Sequence, residues 1–277
     1  MRISGFIGRA APSGRAPEEG DYLGADGLLM CGKCGSPKEC FVSWGGRAAK
    51  LGCACSCERE EAEAYERRAR QAERMRAMHA SPTHRLCLKG EPGCEFDSAD
   101  DSRRGFRVVR SYADKWAEMA PCGYGLILIG PPGTGKTFAA NCLANRFRGS
   151  GLAVMVTNVA KAESVLWDAK GGERSQVLEG LASYDLIVID DLGAERESSY
   201  MDSRAFELVD ACYRSGRPLV VTTNVPLSRL KDPKGLPRTR IYDRVLERCQ
   251  PVIFDGPSFR AEKSKANREA MRAILAG

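Results

Sequence analysis

The segment GPPGTGKT, residues 130–137, constrains the fold of this chain more than any other feature. It matches the pattern G-x-x-x-x-G-K-[ST] and lies between an apolar run and a helix-compatible stretch, which is the context of a phosphate-binding loop. Its glycines let backbone N–H groups turn toward phosphate oxygens, and the helix start adds partial positive charge. We expect Lys136 to reach the β and γ phosphates of ATP and the Thr137 hydroxyl to bind Mg²⁺. The residues expected to contact the nucleotide are Gly130, Pro131, Pro132, Gly133, Thr134, Gly135, Lys136, Thr137 and Phe138.

Five short apolar runs alternate with helix-compatible segments from about residue 106 onward. Continuous apolar strands that alternate with helices predict a parallel sheet covered by helices on both faces, so the fold class is α/β. The predicted strands are Leu126 to Ile129, Ala153 to Thr157, Leu186 to Ile189, Leu219 to Thr223 and Val252 to Phe254.

Polar residues follow two of these strands. LIVIDDLGAE ends a buried strand with Asp190 and Asp191, and Asn224 follows the next strand. Ligands of open α/β sheets lie beyond the carboxyl ends of the strands, so we expect Asp190 to bind Mg²⁺ and Asp191 to act as base for the attacking water. Asn224 either orients that water or stabilises the turn before Pro226. The alternative for each carboxylate is a turn or helix-cap role.

Arginines recur every fourth residue on the predicted helix RTRIYDRVLERC, at Arg240, Arg244 and Arg248. Two interpretations are open. Arg244 reaches the nucleotide of a neighbouring subunit and stabilises charge in phosphoryl transfer, or it pairs with Glu247 on a solvated helix. Arg260, which follows the last strand, poses the same choice.

Six of the twelve cysteines fall within residues 31–57. In a chain of a reducing compartment, such a cluster favours a metal site over disulfides. Cys31 and Cys34 form a metal knuckle, and Cys53, Cys55 and Cys57 offer three thiolates for two remaining positions of a tetrahedral zinc site.

Composition and charge limit the remaining choices. No apolar run approaches the ~20 residues of a membrane span, and the N-terminus lacks the apolar core of a signal peptide, so we expect a cytoplasmic protein with no membrane partner. The formal net charge of +6 permits nucleic-acid binding without requiring it. The predicted organisation is a flexible N-terminal arm (1–27), a zinc module with a charged helix (28–80), a linker (81–105) and an ATPase domain (106–277). The charged helix is interpreted as a solvated connection or a basic surface.

Taken together, GPPGTGKT, LIVIDDLGAE, LVVTTN, RIYDRVLERC and FDGPSFR resemble the DnaC/IstB group of AAA+ ATPases, and especially the DnaC-type helicase loaders of phages and prophages. Weaker similarity reaches back to the cysteine cluster. The resemblance implies a five-stranded AAA+ core with strand order 5-1-4-3-2. It also implies roles for particular residues: Lys136 and Thr137 in Walker A, Asp190 and Asp191 in Walker B, Asn224 as sensor 1, Arg244 as arginine finger, Arg260 as the sensor 2 arginine, and Cys31, Cys34, Cys55 and Cys57 as zinc ligands.

The same resemblance implies a function. We expect an ATP-dependent loader that binds a hexameric replicative DNA helicase through the N-terminal region, delivers it to single-stranded DNA and self-associates with ATP. Most AAA+ motors have Asp-Glu in Walker B, whereas Asp191 here carries a shorter side chain, which predicts slow hydrolysis suited to a switch.

Three alternatives accompany this expectation. The first is a transposition accessory ATPase of the IstB type, which binds duplex DNA and generally lacks a cysteine module. The second is a nucleotide-dependent adaptor with negligible hydrolysis. The third, a small-molecule P-loop kinase, is disfavoured because no acceptor-binding lid is evident. Within the module, Trp44, Arg47 and Lys50 either contact DNA or, for Trp44, pack over the zinc site. His79 and His84 are interpreted as linker residues.

Overall fold

The computed structural model describes residues 15–44, 47–194, 199–232 and 236–276. The chain divides into two compact units, an N-terminal unit of residues 1–74 and a C-terminal unit of residues 75–277. Residues 1–14, about half of the predicted arm, lie outside the described residues.

The N-terminal unit contains two antiparallel hairpins and the start of a long helix. Its core holds few apolar side chains: Leu28 and Leu29 are buried together with the charged Lys38 and Glu39. The Lys38 ammonium donates to Asp21 Oδ2 at 2.7 Å and to Glu18 Oε2 at 2.8 Å. The elements are β1 Tyr22–Leu23, β2 Leu29–Met30, β3 Glu39–Trp44, β4 Arg47–Gly52 and α1 Ser56–Ala80.

Helix α1 forms because 25 consecutive residues contain neither Gly nor Pro. Glu58 in its first turn suits the positive end of the helix dipole and accepts a hydrogen bond from the Cys55 N–H at 3.0 Å. Ion pairs between residues four apart, such as Glu66 with Arg70 at 3.1 Å, line the exposed surface. Most of this helix is exposed, which agrees with the interpretation of a solvated helix.

The C-terminal unit is built on a parallel sheet of five strands in the order β6-β7-β8-β5-β9. When the five strands are renumbered 1 to 5 in chain order and the sheet is read from β9 to β6, this order is 5-1-4-3-2. The predicted AAA+ topology is therefore confirmed. The strands are β5 Gly125–Ile129, β6 Val154–Thr157, β7 Leu186–Ile189, β8 Leu219–Thr223 and β9 Cys249–Ile253.

Helices cover both faces of this sheet. Alternate residues of the buried strands point to opposite faces, so Ile127 and Ile187 belong to one apolar cluster, and Leu128 and Val188 to the other. The helices of this unit are α2 Arg104–Asp114, α3 Trp116–Met119, α4 Lys136–Gly149, α5 Val159–Asp168, α6 Glu173–Glu179, α7 Ser199–Arg214, α8 Leu227–Lys231, α9 Leu236–Arg248 and α10 Phe259–Ala276. The first cluster includes residues of α5, α6, α7 and α9, and the second includes residues of α2 and α4.

The segment predicted as a linker, residues 81–105, is part of the C-terminal unit instead. It forms two 3-10 helices, Pro82–Leu86 and Phe96–Ser98. Leu86 lies in the first apolar cluster and Phe96 in the second. The prediction of a linker differs from this structure because single apolar residues in an irregular segment give no periodic signal of their burial.

The two edges of the five-stranded sheet differ from its interior. At one edge, the Leu88 N–H donates to Val156 O in β6 at 2.7 Å. At the other edge, β9 carries Pro251, which has no N–H to donate. Strand β9 begins directly after α9, three residues before the predicted start at Val252, since Pro251 and Gln250 interrupt the apolar run.

Candidate nucleotide and metal sites

The glycine-rich loop connects the end of β5 to the start of α4. Gly133 and Gly135 have φ values of +86° and +99°, in the left-handed region that favours glycine. A Cβ at Gly133 would collide with the Ser258 hydroxyl. The loop is therefore packed closely against the residues that precede α10, and the free N–H groups at the start of α4 are available to an anion.

Lys136 at the start of α4 is largely buried within this loop. Its ammonium donates to Gly130 O at 2.8 Å, to Pro131 O at 2.9 Å and to Asn224 Oδ1 at 2.8 Å. Burial lowers the pKa of Lys136, although the carboxylates of Asp191 and Asp190 oppose that shift. The three acceptors hold a cation where the phosphates of a nucleotide are expected.

Thr137 and Asp190 meet at the carboxyl end of β7. The Thr137 hydroxyl donates to Asp190 Oδ1 at 3.0 Å. The same carboxylate oxygen accepts from the Thr222 hydroxyl at 2.6 Å, and the Asp190 N–H donates to Thr157 O at 2.8 Å. A hydroxyl and a carboxylate beside a phosphate loop are suitable oxygen ligands for Mg²⁺. These two residues would hold the ion, as the sequence predicts.

Asp191 has a φ of +58° and is the one non-glycine residue with positive φ in the described part of the chain. Such a backbone is uncommon outside glycine, although Asp adopts it more readily than most residues. Asn224 Nδ2 donates to Asp191 Oδ1 at 2.8 Å, while Asn224 Oδ1 accepts from Lys136. The structure thus joins Lys136, Asn224 and Asp191 in one hydrogen-bonded chain.

These side chains line a cavity of about 550 Å³. Arg260 in the first turn of α10 also lines it, so the structure brings the predicted sensor 2 arginine to the phosphate loop. Glu91, Ser98 and Asp100 contribute from the predicted linker, and sequence reasoning missed all three. Nothing in their sequence pattern distinguishes them from other exposed polar residues.

An aromatic cluster supports the loop and one wall of the cavity. Phe106 of α2 contacts Phe138, Phe254 and Phe259 edge to face, with ring centroids 5.3 to 6.3 Å apart. Phe138, Phe106 and Phe259 line the cavity, and the Arg103 guanidinium lies 3.7 Å from the Phe259 ring centre. Phe138, one of the residues expected to contact the nucleotide, therefore lies on the cavity wall and also packs against Phe106.

Arg244 lies outside this cavity. Its guanidinium pairs with Asp210 on α7 at 2.6 Å and lies 4.7 Å from the ring centre of Phe206. The alternative that Arg244 pairs with Glu247 is wrong, since the Glu247 carboxylate accepts from the Tyr213 hydroxyl instead. The partners are residues of α7, which sequence spacing along α9 does not reveal.

The structure brings together four thiols in the N-terminal unit. The sulfur atoms of Cys31, Cys34, Cys55 and Cys57 all lie within 4.8 Å of one another. Gly35, at φ +67°, makes the turn after the first pair. Cys53 points elsewhere, with its thiol 3.7 Å from Pro37 O. Four converging sulfurs suit a tetrahedral zinc ion, so the residues present fit that metal.

The remaining candidates are the residues considered for DNA contact in the N-terminal unit and the two histidines. Lys50 donates to Gly27 O and pairs with Glu39, both at 2.7 Å, so its charge is already compensated. The side chains of Trp44 and Arg47 lie outside the described ones. His84 is not a linker residue: its Nδ1 is 3.5 Å from the hydroxyl of Tyr184, a residue of the apolar core, and its ring lies 4.6 Å from that of His79.

The phosphate loop, the acidic strand end and the 5-1-4-3-2 sheet define an AAA+ P-loop nucleotide-binding protein. A family model described as IstB-like ATP binding protein matches residues 57–267. The chain belongs to that family, and the resemblance of its motifs to the DnaC/IstB group is confirmed.

Individual relatives cover less of the chain. The replicative helicase loader DnaC of Escherichia coli K12 is 33% identical over 139 residues, which are 49% of this chain and 56% of the relative. The protein YdaV of the same strain is 31% identical over 157 residues, or 55% and 61% of the two chains. The chain thus spans about half the length of the curated relatives it matches.

A solved structure titled DNA replication initiation factor shares the fold. It is 17% identical, covers 68% of this chain and 57% of its own, and has a TM-score of 0.50. In the part of the chain that the structure describes, every helix is too short or too polar to span a membrane.

Proposed function

We propose that this protein is an ATP-dependent helicase loader. Its N-terminal unit binds a hexameric replicative helicase, its C-terminal unit contacts single-stranded DNA, and ATP binding with slow hydrolysis switches between states. The observation that carries this proposal is the Thr137–Asp190 pair beside the phosphate loop, in a chain that is similar to the helicase loader DnaC.

Nucleotide binding changes the partners of Lys136. The phosphate oxygens of ATP replace Gly130 O, Pro131 O and Asn224 Oδ1 as acceptors for its ammonium. Thr137 and Asp190 would hold Mg²⁺, which would supply positive charge to the phosphates of ATP. Since Asn224 also donates to Asp191, the release of Lys136 frees the amide that orients the proposed base. Binding of the γ phosphate to Lys136 thereby changes the hydrogen bonding of Asn224, the residue that donates to Asp191.

Hydrolysis is slow because the carboxylate of Asp191 is one methylene shorter than that of a glutamate. Replacing Asp191 with glutamate should raise the steady-state rate of ATP hydrolysis several-fold, since general base catalysis contributes roughly 10²-fold or more when geometry is optimal. The measurement is multiple-turnover phosphate release with Asp191→Asn as the matched control, which should be inactive. A glutamate variant no faster than the natural protein would contradict this explanation of slow turnover.

Two exposed aromatic side chains support contact with single-stranded DNA. Trp167 of α5 is 74% exposed and Tyr200 of α7 is 42% exposed. The Tyr200 hydroxyl donates to Glu163 Oε1 at 3.1 Å, and Glu163 lies one helical turn before Trp167, so both rings belong to one surface. Exposed aromatic rings stack on bases for about 1–3 kcal/mol each.

This DNA contact has a direct test. The Trp167→Ala variant should bind a fluorescent single-stranded oligonucleotide about tenfold more weakly. Leu275→Ala, which removes an equally exposed apolar side chain from α10, is the control and should bind normally. Equal affinities for all three proteins would remove Trp167 from the DNA-binding surface.

The N-terminal unit offers an apolar surface for the helicase. Leu23 of β1 is 70% exposed and Phe41 of β3 is 61% exposed, although the unit buries little apolar surface of its own. Contiguous exposed apolar patches mark protein interfaces, and we propose that these two side chains belong to such a patch. The zinc site would hold these hairpins in shape.

Self-association with ATP involves Arg244. We propose that Arg244 exchanges its carboxylate partner, Asp210, for the γ phosphate of a neighbouring copy. An Arg244→Lys variant keeps the charge but not the planar fork, and should bind ATP normally while losing most of its hydrolysis.

The experiment that tests the loader proposal is co-elution with the replicative helicase hexamer, with ATP and Mg²⁺, on a column with mass detection. The natural chain should form a complex, the double variant Leu23→Asp/Phe41→Asp should not, and Leu275→Ala should behave as the natural chain. A protein that ignores the helicase but assembles on duplex DNA with ATP would instead be a transposition accessory ATPase.

A further inference from the structure

Thr222 is a buried polar residue in the apolar strand β8, and although it lies within the motif LVVTTN, the sequence predicts no role for it. Its hydroxyl donates to Asp190 Oδ1 at 2.6 Å. The same hydroxyl oxygen accepts from the Asp191 N–H at 2.8 Å. One side chain from the neighbouring strand therefore holds both members of the aspartate pair.

The two contacts have different consequences. At Asp190, the hydroxyls of Thr222 and Thr137 reach the same carboxylate oxygen, so the orientation of the carboxylate is fixed from the side of the sheet as well as from the loop. At Asp191, the backbone has a φ of +58°. Conformations of this kind persist where surrounding contacts hold them, and the bond from the Asp191 N–H to Thr222 is such a contact.

The neighbouring Thr223 provides an internal comparison. Its side chain is equally buried, but its hydroxyl donates to Leu192 O at 2.6 Å and accepts from the Val225 N–H at 3.0 Å. Thr223 therefore supports the backbone on both sides of the site, whereas its neighbour Thr222 orients a candidate metal ligand.

We propose that Thr222 is a positioning residue that orients Asp190 toward Mg²⁺ and fixes the backbone of Asp191. This inference rests on the proposed nucleotide function. Groups that hydrogen-bond to metal ligands commonly change metal affinity by about 10- to 100-fold when they are removed. Thr222 thus sets how strongly nucleotide binding depends on Mg²⁺.

The test compares Thr222→Val, Thr222→Ser and Thr223→Val in the full chain. The affinity for a fluorescent ATP analogue is measured by titration at a series of Mg²⁺ concentrations and in EDTA. Thr222→Val should need about tenfold more Mg²⁺ for half-maximal enhancement of nucleotide binding, with its affinity in EDTA unchanged. Thr222→Ser should behave as the natural chain because it keeps the hydroxyl, and Thr223→Val should keep the natural Mg²⁺ dependence even where it lowers the unfolding temperature.

Each remaining result has a stated meaning. Equal Mg²⁺ dependence of Thr222→Val and Thr223→Val would overturn the inference, as would a serine variant that fails like the valine variant. If Thr222→Val does not fold, Thr222→Ala makes the same comparison without the hydroxyl. If the natural chain itself shows no Mg²⁺-dependent binding of the nucleotide, the proposed nucleotide function fails instead, so the two failures are distinguishable.

Discussion

The two units of this chain are stabilised in opposite ways. The C-terminal unit encloses two large apolar clusters, one on each face of a parallel sheet. The N-terminal unit buries Leu28 and Leu29 but also Lys38 and Glu39, and places four thiols around one point. Burial of apolar surface is the main driving force of folding, so we expect the N-terminal unit to need its ion pairs and a metal held by the four thiols. The contrast teaches that one chain can combine a unit stabilised by its own apolar core with a unit that we expect to fold only with a metal bound.

Removal of zinc should have the largest effect on this contrast. Chelation at neutral pH, or the Cys31→Ser substitution, should unfold the N-terminal unit and leave the C-terminal unit folded, because small metal domains gain their folding free energy from the metal. Hydrogen exchange read by mass spectrometry reports the two units separately. Cys53→Ser is the matched control, since that thiol lies outside the cluster, and it should retain one zinc per chain. Protection of the N-terminal unit that survives chelation would refute its dependence on metal.

A cavity in the core should affect only the other unit. Leu143 of α4 is fully buried in the second apolar cluster. Leu143→Ala should lower the free energy of unfolding of the C-terminal unit by about 2–5 kcal/mol, with unchanged zinc content. Chemical denaturation measures the loss, and the exposed Leu275→Ala should stay within about 0.5 kcal/mol of the natural chain. Release of zinc by Leu143→Ala would show that the two units do not fold independently.

Acid should produce the smallest effect. A hydrogen bond from Lys38 lowers the pKa of Asp21 from 3.8 to about 2. Because the pKa of Asp21 is lower in the folded state than in the unfolded chain, ionised Asp21 stabilises the fold of the N-terminal unit. This stabilisation is fully present above about pH 4 and is lost as the pH falls toward 2. Lys38→Met should raise the pKa of Asp21 toward its ordinary value, which reduces this stabilisation, so the variant should be less stable than the natural chain above pH 4 and the difference should shrink as the pH falls toward 2. Glu18 also pairs with Lys38, whereas Glu39 pairs with Lys50, and acid also releases zinc from thiolates.

Hydrogen exchange of the N-terminal unit is therefore measured at each pH for the Lys38→Met variant and for the natural chain. The quantity compared is the difference in protection between the two proteins. Superimposable profiles for the two proteins between pH 7 and 4 would exclude Lys38 as a source of its acid stability.

The fold of the C-terminal unit could be predicted from sequence because its signals are local. Strands β7 and β8 begin and end where their apolar runs do. The phosphate loop is identified by its own eight-residue pattern, GPPGTGKT. The apolar run at Val252 places the start of β9 three residues too late, because pairing with β5, rather than the strand's own composition, defines that start. Sequence pattern assigns Leu86 and Phe96 to a linker because their burial depends on distant partners.

The candidate site was predictable to a similar extent. Motif spacing identified Thr137, Asp190 and Asn224, which the fold brings together. Thr222 was missed because a threonine in a strand suits β propensity, and its role appears only when β7 and β8 pair. The partner of Arg244, Asp210, lies 34 residues earlier in the chain, and no local pattern links the two. The roles assigned to these residues remain proposals.

The two edges of the sheet limit how copies of this protein associate. The Leu88 N–H already occupies a carbonyl of β6, and Pro251 interrupts the outer row of donors on β9. Continuation of the sheet from one molecule into the next is therefore disfavoured at both ends. The self-association proposed for the C-terminal unit would therefore use side chains on helices and loops, rather than a backbone ladder that locks molecules into a fibre.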